Sequence, residues 1–447
     1  MITRFELQYL LSKSIDRGCV ADLDKSSSAT FRAMMNGCSL LLLLFLTSMR
    51  PVTAAFSSLK KTHPYVPPEW ASNHFANLPI AGRLQLAHLP TPLYQPTVST
   101  HQQSSILKKF EDYGITFLLK RDDMTGGVEL GGNKIRKLEF LLADALSQGY
   151  DSVVTIGGEQ SNHCRATACA ARMVGLEPHL ILRTSSADTL GVTGNLLLDR
   201  MVGAMLYTCT PGEYGRVGSD ALVQRLCDYL QETKGKKVYG IPVGGSNGIG
   251  TWGYLNAVDE LVQQWGATKQ NLDHVVFACG SGGTASGIAL GLALCPTLSP
   301  QVHPVAVCDD PDYFYDHVTK IADEMGFRYD GSGRSTLDFV KQSMVVHQGK
   351  GLGYAASTRE ELQFCTDFAA ETGVILDPVY SGKALYHFVT HVFGADPEAY
   401  RGSTILFWHT GGALGMYDKE AELKLDGTSI RRLNVYDKGG DDGMVTI

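Results

Sequence analysis

The 447-residue chain is predicted to be an α/β protein of two domains, each an open, twisted, mostly parallel sheet flanked by helices. Three observations predict it. From about Thr116 onward, short β-branched runs alternate with helix-length amphipathic segments, the pattern of βαβ units. Strand-like runs end on glycine-rich loops that open helices, as in GGEQSN (157–162) and GSGGT (280–284). A hydrophobic content of 44% against 19% charged residues is enough to fill one large or two modest cores.

The expected strands are Thr116–Leu119, Ser152–Ile156, His179–Leu182, Lys237–Ile241, His274–Ala278, His303–Val307 and Thr404–Trp408, most bounded by glycine or charged turns. Between them, helices are expected over Lys134–Ser147, Ser161–Val174, Ala221–Thr233, Thr251–Gln264 and Gly283–Leu294. Residues 57–100, rich in Pro, His and Thr, read as an extended arm around the first domain. Ligands of such sheets gather outside the carboxyl ends of the strands, so the strand-to-helix loops are the candidate site.

A formal charge of −7 lacks the basic footprint of a nucleic-acid binder and points to a small-molecule partner. The ten cysteines show no CxxC and no Cys/His cluster, so neither a disulfide framework nor a metal site is expected, and most should be reduced and buried. The apolar run 38–49, CSLLLLLFLTSM, is shorter than the roughly 20 residues that span a bilayer and is not expected to be a stable membrane anchor. Between Arg32 and Val52-Thr53-Ala54 it resembles a secretory signal, initiated internally at Met34, with a buried helix as the alternative. Glu6, Asp16, Asp22 and Asp24 depart from the acid-free transit-peptide pattern, so the compartment stays open between organelle or secretory routing, mitochondrion or plastid included, and the cytoplasm.

Six motifs could carry chemistry. In ELGGNKIRKLEF, Gly131 and Gly132 turn the chain into a helix that starts at Lys134. The positive end of the helix disfavours the ammonium form and favours the nucleophilic amine; the bland alternative is a solvated lysine, and Arg136 and Lys137 beside it read as surface cations. In TIGGEQSNHCRA, Gln160, Ser161 and Asn162 could bind a carboxylate at a helix start, or Ser161 could be a plain N-cap. In FACGSGGTASG, the loop Ser281, Gly282, Gly283, Thr284 suits a phosphate, but it lacks the lysine of a nucleotide loop. VGGSNGIGTWGY (243–254) looks like the turn of a short-chain dehydrogenase, yet no Tyr-x-x-x-Lys pair supplies the acid that chemistry needs. LDPVYSGKAL and LFWHTGG, with Tyr380, Ser381, Thr410 and Gly411, are individually unspecific turns.

In this order, GGNKIRKLEF, GGEQSNHCRA, VGGSNGIGTWGY, CGSGGT, CDDPDYFYD, LDPVYSGKAL and HTGG resemble the 1-aminocyclopropane-1-carboxylate (ACC) deaminase and D-cysteine desulfhydrase family, over about residues 64–420. The resemblance implies the tryptophan synthase β-like fold type II of pyridoxal 5′-phosphate (PLP) enzymes, and a homodimer. It implies a Schiff base on Lys134, a ring-hydroxyl contact from Asn162 and a phosphate site at Ser281, Gly282, Gly283 and Thr284. Gln160, Ser161 and Asn162 would meet the substrate, with Ser161 holding its carboxylate or assisting proton transfer. Tyr354, in KGLGYA, and Tyr380 match the family's two active-site tyrosines.

Two positions separate the relatives. ACC deaminases place glutamate after the second tyrosine and leucine in the late His-Leu-Gly-Gly; here stand Ser381 and Thr410. A serine facing the pyridine nitrogen cannot hold it protonated as a carboxylate would, which suits elimination of a thiolate better than opening a cyclopropane. The implied activity is a carbon–sulfur lyase giving hydrogen sulfide, pyruvate and ammonia from D-cysteine, with Lys134 or a neighbour taking the α-proton. The alternatives are an ACC deaminase, a lyase for D-serine or β-chloro-D-alanine, and a non-catalytic PLP-binding module. The expected organisation is a leader over 1–62, a large PLP domain from 63–139 and 249–430, a small domain over 140–248 that closes on substrate, and a tail over 431–447.

Overall fold

The computed structural model describes residues 58–97, 106–186, 190–266, 268, 270–328, 333–423 and 425, and the backbone of 433–434 and 445–446. The apolar run 38–49 and most of the expected tail lie outside the described residues. No helix among the described residues is long and apolar enough to cross a membrane.

The strands are β1 (Leu93–Tyr94), β2 (Thr116–Arg121), β3 (Ser152–Gly158), β4 (Glu177–Arg183), β5 (Met205–Cys209), β6 (Val238–Gly240), β7 (His274–Cys279), β8 (Gln301–Ala306), β9 (His347–Gln348) and β10 (Thr404–His409). They form a six-stranded sheet in the order β1-β2-β10-β7-β8-β9 and a four-stranded sheet in the order β5-β4-β3-β6. Every neighbouring pair in both is parallel except β1 with β2. All seven expected strands are present within two residues at each end. The sequence reading missed β1, β5 and β9.

Helices cover both faces, so the central strands read as continuous apolar runs. Along β10 the side chains alternate between two cores: Leu406 and Trp408 pack with Val275 and Phe277, whereas Ile405 and Phe407 pack with Phe117, Leu119 and Val276. In the small sheet the chain moves outward from β3 to β4 and β5, then returns to β6 on the other side of β3. The last strand of the large sheet, β10, likewise inserts between β2 and β7. Such reversals open a crevice at the carboxyl ends of the strands, because successive loops diverge there.

A buried ion cluster fixes the helix that carries Lys134, α1 (Lys134–Ser147). Arg136 donates to both oxygens of Asp122 at 2.9 and 2.8 Å, and to Glu260 at 3.0 and 2.9 Å on a second helix, Gly248–Trp265. Lys120 bonds Glu260 as well and donates to the Thr91 carbonyl at 2.9 Å. Burial alone would raise the Asp122 carboxyl, yet Arg136 and Lys120 hold it down at about 2. Arg136 and Lys137, read from the sequence as surface cations, are each 1% exposed. They are buried because acceptors distant in sequence take up their donors.

Removing one partner from such a cluster leaves an opposing charge buried and uncompensated. Asp122→Ala is therefore expected to lower stability by about 3–5 kcal/mol, read from the denaturation midpoint; a loss below about 1 kcal/mol would show that the cluster does not support α1.

Candidate active site

Gly131 and Gly132 have φ of 54° and 102°, where only glycine sits without strain, and a Cβ at Gly131 would meet the Asp123 carbonyl oxygen at 2.7 Å. The Asn133 N–H donates to the Thr410 carbonyl at 2.9 Å, which ties this turn to the end of β10. Lys134 then faces a cavity of about 280 Å³ at the crevice. Burial, the largest cause, lowers its amine to about 8, and the Arg165 guanidinium pushes the same way against Cys279 and Asp377. The sequence reading assigned this effect to the helix end; burial dominates instead.

The cavity is lined by Ser161 and Asn162 from the turn after β3, at the start of α2 (Asn162–Met173). Ser161 is the cap of this helix, accepting from Cys164 N–H at 3.1 Å, and is 7% exposed. Asn162 accepts through its side-chain oxygen from Asn195 at 3.0 Å. Gln160 lies behind the lining: its side chain donates to the Thr193 carbonyl at 3.1 Å and accepts from Asn195 N–H at 2.9 Å. Arg165, which the sequence reading passed over, lines the cavity and donates to the Glu129 and Gly131 carbonyls, bracing the glycine turn before Lys134. Its position three residues after Asn162, hence on the same helix face, was the available signal.

Ser281, Gly282 and Thr284 line the opposite wall, and α3 (Gly283–Leu294) starts there. Gly282 has φ of 84°. The Gly283 N–H donates to Ser246 Oγ at 3.1 Å, and the Ser246 hydroxyl donates to Ser281 Oγ at 2.9 Å. A Cβ on Gly283 would meet Ser246 Oγ at 2.7 Å and Lys137 Nζ at 2.9 Å. VGGSNG, which resembled a dehydrogenase turn, thus sits beneath this cradle. Lys137 donates to the Gly244 carbonyl at 3.1 Å, and burial and the neighbouring Lys134 push its amine well below the usual range. An open helix end, inward amides and a buried amine below them fit a phosphate group.

Tyr354 and Tyr380 also line the cavity, their hydroxyls 2.7 Å apart. Burial raises both phenols, so both stay protonated at neutral pH. Thr410 is in the lining, while Ser381, wholly buried, lies just behind it with its Oγ 3.5 Å from Thr410 Oγ1. The Gly411 N–H donates to His409 Nδ1 at 3.3 Å, and His409 Nε2 bonds the Ile375 carbonyl at 3.0 Å, so Nδ1 is the bare nitrogen. Ser381 Oγ, 3.1 Å from Nδ1 and 3.3 Å from the Gly411 carbonyl, has two acceptors for its one proton and keeps its lone pairs for a partner in the cavity. Asp377 accepts the Val379, Tyr380 and Ser381 N–H groups and shapes this turn. Neither His409 nor Asp377 was singled out from the sequence.

A family model described as "Pyridoxal-phosphate dependent enzyme" matches residues 84–411, a span that holds every residue lining this cavity except Gly412. The chain belongs to that family. This PLP enzyme is 48% identical over 365 residues to the "Bifunctional D-cysteine desulfhydrase/1-aminocyclopropane-1-carboxylate deaminase, mitochondrial" of Arabidopsis thaliana, covering 80% of the chain and 85% of the relative. It is 32% identical over 349 residues to a "D-cysteine desulfhydrase" of Salmonella choleraesuis, covering 77% and 97%. A solved structure described as an ACC deaminase homologue superposes with a TM-score of 0.62 at 31% identity, over 76% of this PLP enzyme and 95% of that chain. The fold is thus fold type II, and the cofactor is PLP.

The lowered Lys134 amine makes a pH prediction for this PLP enzyme. Below about 8 the ammonium form accumulates and lacks the lone pair that attacks an aldehyde. The rate at which cofactor-free protein takes up PLP covalently should rise through that pH and level above it. A flat profile between pH 6 and about 10, near the pKa of an unperturbed lysine, would refute the assignment.

Proposed function

We propose that the chain is a carbon–sulfur lyase converting D-cysteine to hydrogen sulfide, pyruvate and ammonia by α,β-elimination. The observation that carries this reading is the neutral Ser381 hydroxyl, backed by His409 Nδ1, where an ACC deaminase has a carboxylate. Bound PLP supplies a carbonyl for the Lys134 amine and an electron sink for the substrate α-carbon.

On this reading Lys134, partly neutral at physiological pH, holds the cofactor and then takes the α-proton. Ser161 and the free N–H groups at the start of α2 hold the substrate carboxylate. Asn162 would bond the ring hydroxyl, and Ser281, Gly282, Gly283 and Thr284 would hold the phosphate, with Lys137 beneath. Ser381 and Thr410 would be the groups offered to the ring nitrogen. Tyr380 and Tyr354, both protonated, donate toward the departing sulfur. Gln160 acts through Asn195, by placing Asn162. The segment 140–248 closes over substrate and excludes water. The preference for the D form comes from the names of the relatives, and a homodimer is the expected assembly.

A second reading, ACC deamination at the same site, is favoured by the bifunctional name of the Arabidopsis relative. The test is to give the PLP-loaded enzyme D-cysteine, L-cysteine and ACC while sulfide and keto acid are assayed. Sulfide with pyruvate from D-cysteine is expected; a keto acid from ACC without sulfide from D-cysteine would move the assignment to the deaminase. Tyr380→Phe should lower kcat on D-cysteine about 10²- to 10⁴-fold, the span of a lost acid–base group, with cofactor still bound. Lys134→Ala that cleaved D-cysteine at the wild-type rate would overturn the mechanism.

A further inference from the structure

Three cationic side chains, Lys134, Arg165 and Arg183, line the cavity among the described residues. The first is the cofactor lysine of the reading above. Arg165 is committed to the Glu129 and Gly131 carbonyls and to Asn195 Oδ1 at 3.3 Å. Arg183 is different. It ends β4, beside Gly158 on β3, and its guanidinium sits over two ring faces, 4.9 Å from the centroid of Tyr214 and 5.6 Å from that of Tyr354. No carboxylate or carbonyl among the described residues accepts from it.

Stacking of this kind orients a guanidinium while leaving its donor edge free. A purely structural arginine this close to a cavity would be expected to spend its donors on acceptors, as Arg165 does. Of the two rings that hold Arg183, Tyr354 belongs to the phenol pair with Tyr380, so the guanidinium stands against the group proposed to meet the departing sulfur. The one carboxylate in the lining among the described residues, Asp309, is on the loop after β8 and accepts from the Cys308 thiol at 3.1 Å.

We propose that Arg183 is an anion subsite for the β-substituent, selecting D-amino acids whose side chain is, or becomes, negatively charged. The proposal rests on the lyase reading. In the elimination the Cα–H bond breaks with its proton going to the Lys134 amine, and the Cβ–S bond breaks with the electron pair staying on sulfur. The hydrosulfide that results is a full negative charge, which Arg183 neutralises before it leaves. An oxyanion in the same place would be bound by the planar fork with two hydrogen bonds. ACC, whose ring carbons carry no such charge, gains nothing from it.

The test uses two ligands with no β-leaving group, D-alanine and D-aspartate, titrated into the PLP-loaded enzyme and read by the change in cofactor absorption. The wild type should bind D-aspartate more tightly than D-alanine. Arg183→Gln should weaken D-aspartate about 10-fold or more, the scale of one lost charge-assisted pair, and D-alanine less than 2-fold. Arg183→Lys, which keeps the charge without the fork, should fall between, and the cofactor absorption of each variant reports that it has folded. A wild type without preference for the β-carboxylate, or an equal loss for both ligands, would overturn the proposal. Sulfide release from D-cysteine judges the lyase reading separately, because the ratio of the two binding constants does not depend on turnover.

Discussion

The geometry of the cavity depends on a buried, formally neutral quartet: Asp122 and Glu260 against Arg136 and Lys120. Arg136 makes the paired contact with Asp122 at the end of β2 and reaches Glu260 on the helix that follows β6. The Tyr254 and Thr91 hydroxyls each add a bond to Asp122 at 2.8 Å. Residues two apart on a helix point to nearly opposite sides, so locking Arg136 into this quartet turns Lys134 toward the cavity. Lys137, one further position along, comes round beneath the phosphate cradle. One buried cluster thus sets the rotation of α1 and places both amines.

The alternation of short apolar runs with helices was legible because buried parallel strands carry few polar residues, and so was the gathering of the glycine loops at one site once the motifs were taken in order. Lys134, Ser161, Asn162, Ser281, Thr284, Tyr354 and Tyr380 come together around one cavity. Less legible were features set by tertiary contact. β5 is a sheet edge whose Met205 and Thr208 face solvent, so its apolar signal is weak. Arg136 and Lys137 look like any surface cations until Asp122, Glu260 and the Gly244 carbonyl are brought to them. Ser246 belonged to a motif set aside for want of a catalytic pair, and its use as an acceptor under Gly283 depends on a neighbour 37 positions away in the chain.

The cradle residues also depend on one another electrostatically. Lys137 is buried with no carboxylate bonded to it, and its amine is held toward the neutral form by burial and by Lys134. An anion within about 4–6 Å favours the charged form of such a group. A phosphate at the Ser281–Thr284 turn would supply that anion, and neutralising Lys134 would remove the opposing cation. The two lysines are therefore coupled: an anion at that turn and loss of the Lys134 charge both favour the charged form of Lys137.

The fold also explains why a side chain is needed for the third anion of the proposed reaction. Each sheet offers one strand-to-helix turn whose amides face the cavity: the start of α2 after β3, and the start of α3 after β7. These suit a carboxylate and a phosphate, both of which need several donors at once. A third helix, Gly194–Met201, follows β4, but none of its residues lines the cavity, and Gln160 accepts from Asn195 N–H at its start. Gln160 uses that helix end to position Asn195 and, through it, Asn162. With that helix end turned to Gln160, β4 offers a charge to the cavity through the side chain at its carboxyl end, and the residue at that end is Arg183.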